Sequence, residues 1–197
     1  MDRDEREKAI IEAALTVFGR TGYTDARMAE IAREAGMSYG LLYHYFNNKE
    51  TLFEAIVEEW WRGFHETLEN LKALSDPTET KLARIIAYVL SLYVQKPSLT
   101  SIYVKEISRG FAYHTHSRGR ERFNRLFELC TDLMDEGQAR GALRPDIQSK
   151  YLSYIFLGAI DAFLSVMILG GETLSKAREK KIIEAIMKVF LEGSVAR

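Results

Sequence analysis

Residues 36–50, GMSYGLLYHYFNNKE, gather three tyrosines, a histidine and a phenylalanine, with no acid before Glu50. Wound as a helix of about 3.6 residues per turn, Tyr39, Gly40, Tyr43 and His44 fall on one face, and Leu42, Tyr45 and Phe46 on the other. A surface of two phenols and an imidazole is suited to hydrogen bonding. The hydroxyls and His44 can donate to phosphate oxygens or base edges, while Gly40 lets a partner's backbone approach closely. Asn48 is placed to cap a following helix, which would set Lys49 beside a helix N-terminus, an arrangement that attracts anions. The competing reading of the same face is contact with protein, in a helical ligand-binding or adaptor molecule. Net charge does not choose between them: residues 1–50 hold seven Lys and Arg against nine Asp and Glu. Any potential favouring nucleic acid must therefore be local, from residues 36–49, Arg27 and the helix ends.

The other reactive side chains offer less. His114 and His116, two apart in FAYHTHSR, suit neither a helix face nor HExxH, and no cysteine or carboxylate pair accompanies them at ligand spacing, so no metal is expected. Cys130 lies in LFELCTDLM, an apolar helical setting that implies a buried, inert thiol. With no GxSxG, no phosphate loop and no cysteine beside a base, there are no candidate catalytic residues; the expectation is a protein without cofactor that is not an enzyme. Arg118, Arg120 and Arg122 in SRGRER are either solvated loop charge or a contact for an anionic group.

These residues need elements to hold them. The chain has 197 residues, 47% of them apolar, enough for a real core. One cysteine and a charged start, MDRDEREKAII, point to a reducing cytoplasm and give no sign of an export leader. Residues 151–169 match a bilayer-crossing helix in length, but Asp161 at the centre would cost about 2.5–3.5 kcal/mol there. A helix buried within a protein assembly is the better expectation, with no membrane.

Period and punctuation predict an all-α chain. Ile10, Ile11, Ala14, Leu15 and Phe18 form the stripe of a first helix, about Asp4 to Thr21, which Gly22 ends in a left-handed conformation with Tyr23 against Phe18. A second helix is expected from about Ala26 to Ala35 with Asp25 as its N-cap. Gly36 then turns the chain, Met37 enters the core, and Ser38 caps a third helix to about Phe46. Further helices are expected over about 49–73, 77–95, 99–109, 117–140, 146–169 and 175–191.

The stretch AIIEAALTVFGRTGYTDARMAEIAREAGMSYGLLYHYFNNKETLF, residues 9–53, resembles the amino-terminal domain of the TetR family of transcriptional regulators. The likeness is carried by FGRTGY in the first helix, IAREAGMSYGLLYHYF in the helix-turn-helix, and NKETLF at the entry to the fourth helix. It implies a helix-turn-helix DNA-binding domain over residues 1–50, with DNA contacts from Arg27, Ser38, Tyr39, Gly40, Tyr43, His44 and Lys49. Two departures stand out. The family often has Ser or Thr at the positions of Ala26 and Arg27, and commonly Lys at that of Tyr39. Arg27 would then bring a charge where the family uses a hydroxyl.

Residues 51–197 resemble the family only in length and helix count, which implies a helical ligand-binding and dimerisation domain. Pairing has its own support in the residues. Ile182, Ile183, Ile186, Met187, Phe190 and Leu191 spread wider than one buried face requires, and Gly158, Ala159 and Ala162 would let a partner helix come close. The expected interface is Gly158, Ala162, Ile183, Met187 and Phe190, with Asp161 near it or in the pocket. Aromatic residues on these helices, Trp60, Phe64, Tyr88, Tyr103, Phe123, Phe127 and Tyr154, are the candidates for a ligand pocket. The ligand would be small and hydrophobic or amphipathic, an acyl-coenzyme A among the candidates if the arginine cluster meets an anion. The implied activity is that of a dimeric repressor, bound to an inverted-repeat operator in double-stranded DNA and released by the ligand.

Overall fold

In the computed structural model the chain is described over residues 2–108 and 117–194, without side chains at 103, 105–108, 117–119 and 194. Helices occupy it in the order α1 (Arg3–Asp25), α2 (Met28–Glu34), α3 (Tyr39–Tyr45), α4 (Lys49–Ala73), α5 (Thr78–Gln95), α6 (Pro97–Ser108), α7 (Ser117–Ala139), α8 (Ser149–Leu169) and α9 (Lys176–Ser194). The fold is all-α, and the described residues contain no strand. They fall into two compact units, one of residues up to Arg62 with Ser98–Tyr103, the other of Gly63–Pro97 and Val104 onward.

The first unit is built on capped, amphipathic helices. Asp2 and Glu5 close a reciprocal box at the start of α1, the Asp2 carboxylate accepting the Glu5 N–H at 2.8 Å and the Glu5 carboxylate accepting the Asp2 N–H at 2.9 Å. The α1 stripe of Ile10, Ile11, Ala14, Val17 and Phe18 is buried, as are Met28 and Ile31 of α2, Leu42 of α3 and Leu52 of α4. Gly22 does break α1, but at φ 78° and ψ 160°, an extended mirror-image conformation open in practice to glycine alone. Helical geometry then resumes for one turn to Asp25. The expected Asp25 cap is therefore corrected: Asp25 ends α1, and the N-cap position of α2 falls to Arg27, whose backbone N–H reaches the Glu30 carboxylate at 3.4 Å. Tyr23 still meets Phe18, with centroids 5.5 Å apart, and Phe53 completes an aromatic cluster. Met37 is half-buried, short of the core position expected for it.

The second unit is a bundle in which α7 and α8 pack along each other while α9 lies against α5 and α8. Leu82, Ile85 and Ile86 of α5, Leu133 and Met134 of α7, and Phe156 and Leu164 of α8 are buried in it. Lys81, on α5, is buried with them at 0% exposure; its ammonium donates to both Glu136 oxygens, at 2.8 and 3.0 Å, and to the Lys72 carbonyl at 3.3 Å. A buried charge is tolerable only when so paired. Residues 63–73 of α4 are tied to α7 by Lys72–Asp132 at 2.5 Å, Arg125–Glu69 at 2.6 Å, and the His65 ring against the Arg122 carbonyl at 3.1 Å. Cys130 is buried, and burial pushes its thiol up to about 12, so it stays protonated at neutral pH.

The helix α8 is long and apolar enough to cross a membrane. Leu152, Phe156, Ile160, Leu164 and Met167 nevertheless bury one face of it within the bundle. The opposite face, Tyr151, Tyr154, Ile155, Phe163, Val166 and Leu169, stays exposed.

A candidate nucleic-acid interface

The helix-turn-helix is assembled by two local signals. Gly36 turns the chain at φ 64°, where a side chain would be strained, and the Ser38 hydroxyl then accepts the Leu41 N–H at 3.2 Å to cap α3. Leu42 is buried and Phe46 nearly so, which anchors α3 by its inner face and fixes what it presents outward. That outward surface holds Tyr39, Gly40 and His44, all exposed, with Tyr43 half-buried beside them. A Cβ added at Gly40 would meet nothing within 4 Å, and Gly40 is not among the glycines of positive φ. Neither packing nor backbone geometry demands glycine there.

Tyr39 and Tyr43, one turn apart, form a pair: their ring centroids are 4.6 Å apart, and the Tyr39 hydroxyl donates to that of Tyr43 at 2.9 Å. Tyr43 is held above the ordinary phenol value. It therefore acts at neutral pH as a neutral hydroxyl. The His44 ring stands edge-on to Tyr45 with centroids 5.8 Å apart.

Next to α3, Asn48 caps α4 as expected. Its side-chain oxygen accepts the Thr51 N–H at 2.7 Å, and the Thr51 hydroxyl accepts the Asn48 N–H at 3.3 Å. Lys49 is less free than its position suggests: its ammonium donates to the carbonyls of Tyr23, Thr24 and Ala26 at 2.7, 2.9 and 3.0 Å, with the Tyr23 ring 4.6 Å away. All three ammonium protons are engaged at the C-terminal end of α1, where a cation is favoured by the orphan carbonyls and the helix dipole. Arg27 remains exposed at the start of α2.

These features are those of a helix-turn-helix, and comparison with known proteins gives its family. The family model described as bacterial regulatory proteins of the tetR family matches residues 10–56. The transcriptional regulator BetI of Brucella anthropi is 30% identical over 95% of this chain and 94% of its own length. The chain belongs to the TetR family. It is accordingly a helix-turn-helix regulator of transcription. The transcriptional repressor NicS of Pseudomonas putida is 28% identical over 73% of this chain and 68% of its own. Among solved structures, FadR from Bacillus subtilis in complex with stearoyl-CoA superposes with a TM-score of 0.78 at 21% identity, covering 94% of this chain and 98% of the other. At that identity the likeness shows the fold.

The residues expected to line a pocket separate into clusters. Phe64 and Tyr88 stack with centroids 5.9 Å apart, and burial raises the Tyr88 phenol. Phe123, Phe127 and Tyr154 instead line an open groove of about 650 Å³ along α7 and α8, with Lys150, Glu128 and Asp132 at its polar edge. Trp60 is buried in the first unit. Tyr103 lies on α6 and Arg118 on α7, but their side chains, like His114 and His116, lie outside the described residues; Arg120 is exposed and Arg122 buried. Of the expected interface residues, Gly158 and Ala162 lie on the exposed face of α8 and Ile183 is half-buried. Met187 and Phe190 turn into the chain's own core, Phe190 against Phe156 at 5.3 Å. The sequence signal was the apolar spread of α9, which does not say which residues face inward. The Tyr39–Tyr43 bond was within reach of it, since residues four apart on a helix are neighbours. The carbonyl cage around Lys49 was not.

Proposed function

We propose that the protein is a homodimeric, ligand-released repressor that reads an inverted-repeat operator through the outer face of α3. The observation that carries this reading is the outward polar surface of Tyr39, Gly40, Tyr43 and His44 on a helix anchored by Leu42 and Phe46. Tyr43, with Tyr39 beside it, donates its hydroxyl to a phosphate, Gly40 admits the DNA backbone, His44 adds a polar contact, and Ser38 and Arg27 reach the flanking backbone. Lys49 contributes positive charge while it holds α1 to the start of α4.

The dimer forms on the exposed stripe of α8, where Gly158 and Ala162 allow close approach between Ile155, Phe163 and Val166. Two reading heads must then stand roughly 34–36 Å apart to enter successive major grooves. Helix α4 contributes residues to both compact units, so a ligand that shifts it alters that spacing and favours the unbound state. The ligand is hydrophobic or amphipathic. Its aromatic contacts come from the Phe64–Tyr88 stack or the Phe123–Phe127–Tyr154 groove, and the stearoyl-CoA held by the similar Bacillus subtilis regulator makes an acyl-coenzyme A the first compound to try. A reducing cytoplasm suits the buried thiol.

Selection from a randomised duplex pool with the purified protein tests the reading. Enrichment of an inverted repeat is expected, and stearoyl-CoA added to that complex is expected to release the DNA. Retention that falls with salt but enriches no sequence would remove the operator reading.

A further inference from the structure

The Tyr39–Tyr43 pair carries one step more. A phenol has a single proton, and Tyr39 spends its own on the Tyr43 oxygen at 2.9 Å. That leaves the Tyr43 proton as the outward donor of the pair. Rings whose centroids are 4.6 Å apart also restrict each other's rotation, and Tyr39 is itself fixed as the first residue after the Ser38 cap. Each ring has only two rotatable side-chain bonds, so the pairing orders the hydroxyls at small entropic cost.

We propose that Tyr39 is a positioning residue: it holds the Tyr43 ring and accepts no independent place on the DNA, so the two hydroxyls act as one relay delivering a single O–H to one phosphate oxygen. The proposal rests on the DNA reading above and assigns a role to the position at which this chain departs from the family's common lysine. A neutral relay releases no counterion, whereas a lysine would.

The test is a double-mutant cycle on the selected operator, read by fluorescence anisotropy, using Tyr39→Phe, Tyr43→Phe and the double variant. Phenylalanine keeps the ring contact and removes only the hydroxyl, and thermal unfolding confirms that each variant is folded. Each single change is expected to weaken binding about five- to tenfold, as for one hydrogen bond, and the double variant no more than the weaker single. The slopes against salt should be parallel in all four proteins. Losses that multiply, or a Tyr39→Phe chain that binds as the wild type does, would overturn the relay. Ring-labelled tyrosine followed by NMR without DNA reports the bond separately: a proton donated to the Tyr43 oxygen favours its phenolate, so the Tyr43 phenol should titrate higher in Tyr39→Phe than in the wild type, and a fall would make Tyr43 the donor and overturn the relay. A wild-type chain that selects no duplex would bring down the DNA reading and the relay with it. An unmoved Tyr43 titration would bring down the relay alone.

Discussion

In the first unit the groups with chemistry in them stand outside, on a seven-residue helix held by Leu42 and Phe46. In the second the arrangement is inverted: Lys81, paired with Glu136, is sealed in the bundle, while Val166 and Leu169 of α8 are 64% and 82% exposed. Water solvates phenols, imidazole and amide groups well, so a polar reading surface can wait exposed for its partner. It solvates aliphatic carbon badly, so a stripe such as that of α8 marks a surface meant to be covered. A buried ion pair gains its value from geometry, since its desolvation offsets much of its attraction. On the function proposed above, the first unit is built for reversible contact and the second for permanent contact.

The most direct way to break this contrast is Val166→Glu. A charge in the α8 stripe should convert the dimer to a folded monomer by light scattering and abolish operator binding, while an intact dimer would place the covered surface elsewhere. Glu136→Leu should cost about 3–5 kcal/mol in denaturant unfolding, because Lys81 is left buried without its carboxylate. Lys81→Met should cost less, since Glu136 keeps Arg140 at 2.8 Å. The reverse order would show that the pair is not the anchor of the bundle.

Lys49→Met sharpens the first unit. Loss of three charge-assisted bonds should lower stability by about 1.5–3 kcal/mol and leave the salt dependence of DNA binding unchanged. If Lys49 leaves its carbonyls for a phosphate, the salt slope will instead flatten by about one unit. Gly40→Ala is expected to raise stability by up to about 1 kcal/mol, since the added methyl meets nothing, and yet to weaken operator binding. Binding left intact would take Gly40 off the DNA.

The smallest effect is expected at Asp161, whose Oδ1 is buried without a hydrogen-bond partner and whose carboxyl is raised by desolvation. A carboxyl raised in the folded state favours folding most below its ordinary value of 3.8 and loses that contribution as pH rises through the folded value. Asp161→Asn should therefore raise the Tm at pH 7, with the gain fading toward pH 3. A pH-independent gain would assign the effect to packing.

Most helix boundaries were legible because they depend on neighbours in the chain. The Ser38 cap, the Asn48 cap and the turn at Gly36 each involve residues within a few positions, and their signals survive in any tertiary setting. The end of α1 was read less well. Gly22 reads as a breaker, but the turn that follows it is stitched through the Thr24 carbonyl to Lys49, 25 residues later, a contact no local pattern announces. Which apolar residues of α9 face inward was equally closed to pattern, since Phe190 is turned into the core by Phe156 on a different helix.

The sequence by itself determined that the chain is helical, where its third helix lies, and which side chains that helix presents, because 3.6-residue periodicity and caps are properties of short segments. Tertiary structure alone decided that Lys49 is caged by carbonyls, that Lys81 is sealed against Glu136, and that the α8 stripe is left uncovered. Each of those outcomes depends on which distant surfaces meet, and burial, unlike helical period, is a property of the assembled molecule.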